Sequence, residues 1–258
     1  MSIFCIPKTV ARKITAMQSQ FLWGGTVDNR KIHRLAWDTV AKEKDRGGLG
    51  VGNISTKNKA LLFKWIWKLG SNDKASWADF IKEKYSPQFI NGMPQFRKKL
   101  SRIWRGISST ITSTDLDSSL IWVGCKLKMG NGNHVNFWSD TWWTGFCLAN
   151  SYLALFRMSS SKIGIVSHMG YWIEDTWHWN LKWIRPLSIS ENLLFQTLLS
   201  DLNLAVIHRL KEDRLILEWG KDRGYTVNSC MLALERIRYA RSTNYVTDVW
   251  KSICPPKT

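Results

Sequence analysis

Lys128–Trp143 reads KMGNGNHVNFWSDTWW, and the local structure assigned to it decides how the rest of the chain divides. Just upstream, Ile121, Val123, Cys125, Leu127 and Met129 alternate with Trp122, Gly124, Lys126 and Lys128. A period of two marks a strand with one buried face. Asn131-Gly132 is a pair that tolerates positive φ, as a two-residue type I′ turn demands. Val135 and Phe137 resume the alternation before Trp138, Trp142 and Trp143. The stretch predicts a β-hairpin closing on a dense aromatic patch, with Asp140 as a turn or structural acid.

The totals fit that reading. At 258 residues the chain can bury one sizeable core or two small ones. Hydrophobic residues make 44% and charged residues 22%, a globular balance rather than a disordered one. Its 16 tryptophans bring large apolar rings whose indole N–H groups need acceptors. The net charge of +17 makes polyanions the natural partners. Residues 1–110 carry 21 Lys/Arg against 7 Asp/Glu, net +14, while residues 111–258 carry 16 against 13, net +3. The first part is thus the electrostatic half. A membrane surface is the competing polyanion, but no lipidation motif, secretory signal or bilayer-length apolar run supports it. Even ALLFKWIWKL is interrupted by Lys64 and Lys68.

Cys5, Cys125, Cys147, Cys230 and Cys254 form no C-x-x-C pair and read as reduced thiols of an intracellular protein. His33, His134, His168, His178 and His208 are equally scattered, so neither a metal site nor a cofactor is expected. The glycines of KEKDRGGLGVG, Lys42 to Gly52, do not make a phosphate loop. A Walker loop ends in G-K-[ST], whereas Gly52 is followed by Asn53 and Ile54, and the dinucleotide spacing G-x-G-x-x-G is absent.

Along the chain, Pro7 suits a first helical turn, and Val10, Ile14, Met17 and Phe21 follow at i, i+4, i+7, i+11. Lys8, Arg12 and Lys13 lie elsewhere on that helix, which FLWGG ends. Arg30, Lys31 and Arg34 mark a second basic segment. Ser55 or Thr56 can cap a helix holding Leu61, Leu62, Trp65, Ile66 and Leu69. Within it, helical spacing beside leucines favours core packing for Trp65 over stacking on bases and leaves Trp67 open. FRKKLSRIWRGI, Phe96 to Ile107, predicts an amphipathic helix. Leu100, Ile103, Trp104 and Ile107 share one face and Lys98, Arg102 and Arg105 line the other at i, i+4, i+7. Such a row can track a phosphate backbone or simply be a solvated face, and the basic surroundings weigh toward the first. Ser108–Ser119 reads as a Ser/Thr-rich linker. Beyond it, Asn192–Leu204 and Met231–Tyr239 read as helices. Leu215, Leu217 and Trp219 with Tyr225 and Val227, joined by GKDRG, read as a second hairpin. The sum is an α+β chain: a basic helical N-terminal half, then a small Trp-rich domain of β-hairpins and helices.

As a string, Gly130 to Trp142 resembles a signature of plant non-LTR (LINE-type) retroelement reverse transcriptases: G-N-G, a short gap, then F-W-x-D-x-W. In that family it lies between the polymerase and zinc-binding regions. Four further stretches resemble the same family in the same order. MSIFCIPKTVARKI with FLWGG resembles the start of its thumb, just after the polymerase core. KEKDRGGLGVGN and the ALLFKWIWKL helix resemble the connection that follows, and GYTVNSCMLAL with VWKSICPPK resembles the start of its zinc-binding region. The resemblance implies three parts: a thumb-like basic helical segment with its Gly-rich loop over 1–54, a helical connection over 55–110, and an α+β connector with Trp-rich hairpins leading into a truncated zinc-binding region over 111–258.

The family's polymerase chemistry rests on paired aspartates that hold divalent metals, and no Asp-Asp occurs in this sequence. Its zinc ligands, C-x-x-C with a distant His and Cys, belong after PPK. The Met1-Ser2 start falls where the family has an internal Met-Ser, so a fragment is expected, without catalytic or metal-binding residues. What the resemblance does imply is non-specific contact with an RNA or DNA backbone through Lys8, Arg12, Lys13, Arg30, Lys31, Arg34, Lys98, Arg102 and Arg105. In the intact parent, the polymerase domain would be a further partner. The parent elements act on nuclear DNA, but no clean basic localisation run stands out here. Two rivals belong to other classes: a co-opted protein-interaction module using exposed Trp142 and Trp143, and a hydrolase using Asp115, Asp117 or Asp140, which has no His or metal constellation behind it.

Overall fold

The computed structural model describes residues 3–24, 35–71, 75–143 and 145–240. In chain order its elements are α1 (Lys8–Trp23), α2 (Trp37–Val40), α3 (Ile54–Gly70), α4 (Ser76–Tyr85), β1 (Gln88–Ile90), β2 (Met93–Gln95), α5 (Arg102–Thr112), α6 (Leu116–Gly124) and β3 (Cys125–Lys128). Then come α7 (Leu148–Ser151), α8 (Leu153–Met158), β4 (Gly170–Ile173), β5 (Thr176–Trp179), α9 (Ile189–Leu202), β6 (Arg214–Leu217) and α10 (Val227–Ala240). Mixed helices and two-stranded antiparallel sheets make this an α+β fold. None of the described helices is long and apolar enough to cross a membrane.

The chain forms two compact units, each interrupted in sequence. The first takes Met1–Trp65, Leu100–Ile121 and Trp219–Thr258, and the second takes Ile66–Lys99 and Trp122–Glu218. In the first, Ala60, Leu62 and Phe63 of α3, Ile107 and Ile111 of α5, and Cys230 and Leu234 of α10 are buried. Tyr225 meets Phe63 edge to face at 5.3 Å and donates its hydroxyl to the Ala60 carbonyl. Burial pushes the Cys230 thiol up to about 12, so it packs as a neutral apolar group.

The second unit is built on tryptophan. Phe137 and Trp138 are fully buried among Val135, Leu148, Leu155, Val166, Leu198 and Leu202. Trp142, Trp172, Trp177, Trp179 and Trp183 pack against that core at its margin. Several indoles find the acceptors that burial requires: Trp138 Nε1 donates to Ser159 Oγ at 3.1 Å, Trp142 Nε1 to the Phe137 carbonyl at 2.9 Å, and Trp179 Nε1 to the Leu202 carbonyl at 3.3 Å.

The central expectation is corrected here. Lys128–Trp143 does not form a hairpin. Ile121 to Gly124 ends helix α6, because the Asp115 carboxylate accepts the Ser118 amide at 2.8 Å and starts a helix where the alternation suggests a strand. Only Cys125–Lys128 is extended, and it pairs antiparallel with Arg214–Leu217, from Cys125 opposite Leu217 to Lys128 opposite Arg214. Of the turn pair, Gly132 has φ +74° but Asn131 is not among the positive-φ residues, so no type I′ turn forms there. The type I′ pair is Asn91-Gly92, with φ +52° and +72°, closing β1 and β2 between Ile90 and Met93.

The second expected hairpin is corrected too. GKDRG makes a tight turn in which Asp222 and Arg223 take positive φ, +53° and +58°, and Val227 opens α10. Thr226 and Ser229 explain the start, since the Ser229 amide donates to Thr226 Oγ1 at 3.0 Å and the Thr226 amide to Ser229 Oγ at 3.2 Å. For α3 the cap is Asn53, whose Oδ1 accepts from the Ser55 and Thr56 amides, rather than Ser55 or Thr56. Trp65 and Trp67 are both half-buried on that helix.

Candidate nucleic-acid interface

Helix α1 is stopped by Gly24, whose φ of +63° lets its amide close on the Gln20 and Phe21 carbonyls. Pro7 stands just before the helix, at the cap. Its small and polar face turns inward, with Ala11 and Ser19 buried. Lys8, Arg12, Thr15 and Ser19 line a groove of about 570 Å³ whose other wall carries Trp37, Asn53 and Ser55. Lys8 and Arg12 stand one turn apart, so both charges reach the same groove. Lys8 and Ser55 also line an adjoining groove with Asn58, Lys59, Ser109, Thr110 and Ser113. Of these, Asn58, Ser109, Thr110 and Ser113 already donate to the Phe4, Gly106, Ile107 and Ser109 carbonyls, so the groups here that can meet phosphate oxygens are the Lys8 and Arg12 cations.

The electrostatics within this surface are uneven. Lys59 is neutralised, its Nζ lying 2.6 Å from Asp115 Oδ1 and 3.7 Å from Asp117 Oδ2. Burial pushes the Asp115 carboxyl up, but the bonds from Lys59 and Ser118 outweigh it and hold the group below its usual value. The free cationic character therefore rests on α1 and α5.

The row expected on Phe96–Ile107 does not form. Helix α5 starts only at Arg102, because Ser101 caps it by accepting the Trp104 amide at 3.3 Å. Lys98 lies before the helix and in the other unit, where its Nζ donates to Ser86 Oγ at 3.1 Å and reaches the Lys84 carbonyl at 3.4 Å. Arg102 and Arg105 are exposed on α5, and Arg105 reaches the Leu100 carbonyl at 3.5 Å. Of the expected apolar face, Ile107 is buried while Ile103 is exposed. Ser108–Thr112, read as linker, completes the helix and buries Ser108 and Thr110. Lys13 is exposed on α1, away from the groove residues. Arg30, Lys31 and Arg34 lie outside the described residues. Sequence reasoning missed that Ser109 and Thr110 belong to the helix and that Ser113 closes it, their hydroxyls donating to carbonyls of the same helix, since a Ser/Thr run signals a loop unless helical spacing is tested through it.

The acids are structural. Asp140 is fully buried and accepts from the Asn91 amide at 2.6 Å, the Asn136 amide at 2.7 Å and the Asn136 side chain at 3.2 Å. Burial pushes its carboxyl up while those donors oppose the shift. Asn91 Oδ1 in turn accepts from the Thr141 amide and hydroxyl, locking the F-W-x-D turn to the β1–β2 hairpin. Asp213 does the same for the G-N-G loop: Oδ1 accepts from the Gly130 amide at 2.6 Å and the Gly132 amide at 2.9 Å, and Oδ2 from the His134 amide at 2.8 Å. Among the described residues, no three or more His, Cys, Asp or Glu side chains are grouped to hold a metal ion. Trp142 and Trp143 are half-buried against the core, Trp142 stacked on Trp179 and Trp143 tilted against Trp142.

No family model matches the chain, and no solved structure matches it. It is similar to an uncharacterized mitochondrial protein of Arabidopsis thaliana, 29% identical over 143 residues, covering 55% of this chain and 88% of that protein. It is also similar to an Arabidopsis thaliana protein named for ribonuclease H, 23% identical over 267 residues. That match takes in 100% of this chain but 40% of the relative, so the chain is similar, end to end, to less than half of a longer plant protein.

Proposed function

We propose that this chain is a stretch of a plant non-LTR retroelement reverse-transcriptase polyprotein that holds RNA or DNA by its phosphates and performs no chemistry of its own. The observation that carries the binding role is the pair Lys8 and Arg12 on one face of α1, opening into a groove whose walls are otherwise Ala11, Ala16 and Trp37 with Thr15, Asn53 and Ser55. The ordered motifs from FLWGG to VWKSICPPK and the similarity to part of a longer plant protein support the origin. Lys8 and Arg12 are the first contacts. Lys13, Arg102 and Arg105 extend the same basic unit, Arg30, Lys31 and Arg34 are its further sequence candidates, and Lys98 acts apart from them.

The test is a salt series of duplex binding. Each phosphate contact to B-form DNA steepens the dependence of log K on log salt by roughly 0.9, so K8A/R12A should flatten the slope by about 1.8. An unchanged slope, or affinity indifferent to ionic strength, rejects the assignment. A second reading, a protein-interaction module, draws on the exposed Val10, Met17 and Phe21 of α1 rather than on Trp142 and Trp143.

A further inference from the structure

The groove beside α1 holds an aromatic ring. Trp37, the first residue of α2, is half-buried in the wall across from Lys8 and Arg12. Trp142 and Trp179 stack on each other and donate their indole N–H groups to carbonyls. Among the described residues, Trp37 has no ring partner, and its indole N–H has no acceptor. The Gly-rich loop after α2 fixes where this ring stands. Val40 and Ala41 are buried, the Val40 carbonyl accepts the Leu49 amide at 2.7 Å, and the Ala41 carbonyl accepts the Gly52 amide at 2.9 Å. Gly50 and Gly52 make that return at φ +71° and +69°, where a side chain would be strained. A Cβ at Gly52 would also press on Glu235 Oε1 and Met231 Sδ, at 3.2 and 3.3 Å. The loop thus brings Asn53 onto the same wall as Trp37, and the ring is in place before any ligand arrives.

We propose, building on the phosphate-binding reading and resting on it, that this groove takes a single strand of nucleic acid. One unstacked base lies on the Trp37 indole while Lys8 and Arg12 hold the phosphates beside it. In a duplex the neighbouring pairs cover each base face, and a groove on a protein surface meets only the backbone. An indole in the wall serves a base that has left the stack, and cations with an aromatic ring in one groove are the combination that single strands need. A volume of about 570 Å³ is that of a small-molecule site, which admits a short stretch of strand but no section of a duplex. The small side chains of Ala11 and Ala16 keep the floor open, and none of the described residues lining the groove is acidic.

Fluorescence anisotropy on the full chain tests it, with an oligo-dT strand of about 12 nucleotides and a duplex of the same length as probes. Trp37→Ala should weaken the single strand about tenfold more than the duplex, and Trp37→Phe should keep most of the strand binding. The salt slope should stay where it is in W37A, because no phosphate contact is lost. Photocrosslinking of the wild type needs no variant: iododeoxyuridine in the strand should crosslink to the peptide that holds Trp37, and the same base paired in a duplex should not. Equal losses on strand and duplex, a strand indifferent to W37A, or no crosslink at Trp37 each overturn the proposal. Should K8A/R12A still flatten the salt slope in that case, the phosphate contacts stand and only the base contact is rejected. Strand binding that ignores salt altogether rejects both.

Discussion

Asp140 shows how much one buried acid can organise. A carboxylate with only N–H donors around it fixes two chain segments 49 residues apart, through Asn91 on one side and Asn136 on the other. Removing it strands those donors in the interior, where an unmet amide costs about 1–3 kcal/mol. Asp140→Ala should therefore lower the unfolding free energy by about 3 kcal/mol in urea titrations followed by tryptophan fluorescence. Glu191 gives a pH prediction. The Arg185 guanidinium, with both nitrogens 2.9 Å from its oxygens, and the Ser188 amide at 2.8 Å hold its carboxyl down at about 2 from an ordinary 4.5. A lowered acid stabilises the fold fully above the unfolded value and loses that contribution as pH falls through the folded one, so the window runs from 4.5 down to about 2. A carbon-13 NMR titration should place Glu191 near 2, and Arg185→Gln should move it upward. That Asp140 is structural could be read from the F-W-x-D string. Its partner could not, because nothing near Asp140 in sequence points to Asn91.

Elements were harder to read than residues. Helices α9 and α10 follow from their apolar spacing, and their true starts are set by side-chain caps. The Ser188–Glu191 capping box opens α9, and the Thr226–Ser229 pair opens α10. Strand pairing is not legible in the sequence, because period-two alternation is short-range and does not specify a partner. Cys125 to Lys128 takes its partner from Arg214 to Leu217, far along the chain. Asn-Gly at 131–132 and Asn-Gly at 91–92 look equivalent as dipeptides, yet only the second closes two strands. The difference lies in Asp213, whose carboxylate gathers the amides of the first into a loop. Gly130 in that loop meets the Lys211 and Glu212 carbonyls where a Cβ would stand, at 2.3 and 2.4 Å. Gly130→Ala must push the loop off Asp213 and should cost about 2 kcal/mol, read as a lowered melting temperature.

For the whole molecule, charge was the most legible property and topology the least. The +14 of residues 1–110 is a count that points to a basic half, while the groove beside Lys8 and Arg12 is visible only in the structure. That a helix would turn its small polar side inward could not be read the same way, since Val10, Ile14, Met17 and Phe21 look like a core stripe in isolation. Nor does the sequence announce that the first unit is made of three separated lengths of chain. The contacts that bind those lengths bridge long spans, Tyr225 to Ala60 and Glu235 to Asn53, 165 and 182 residues apart. During synthesis, then, α1 and most of α3 leave the ribosome long before α10 exists to complete them, at a translation pace of about 5–20 residues per second. Its earliest-made part must wait unfinished while the entire tryptophan-rich unit is translated. A premature stop anywhere before α10 would deprive the nascent chain of the helix that closes its beginning.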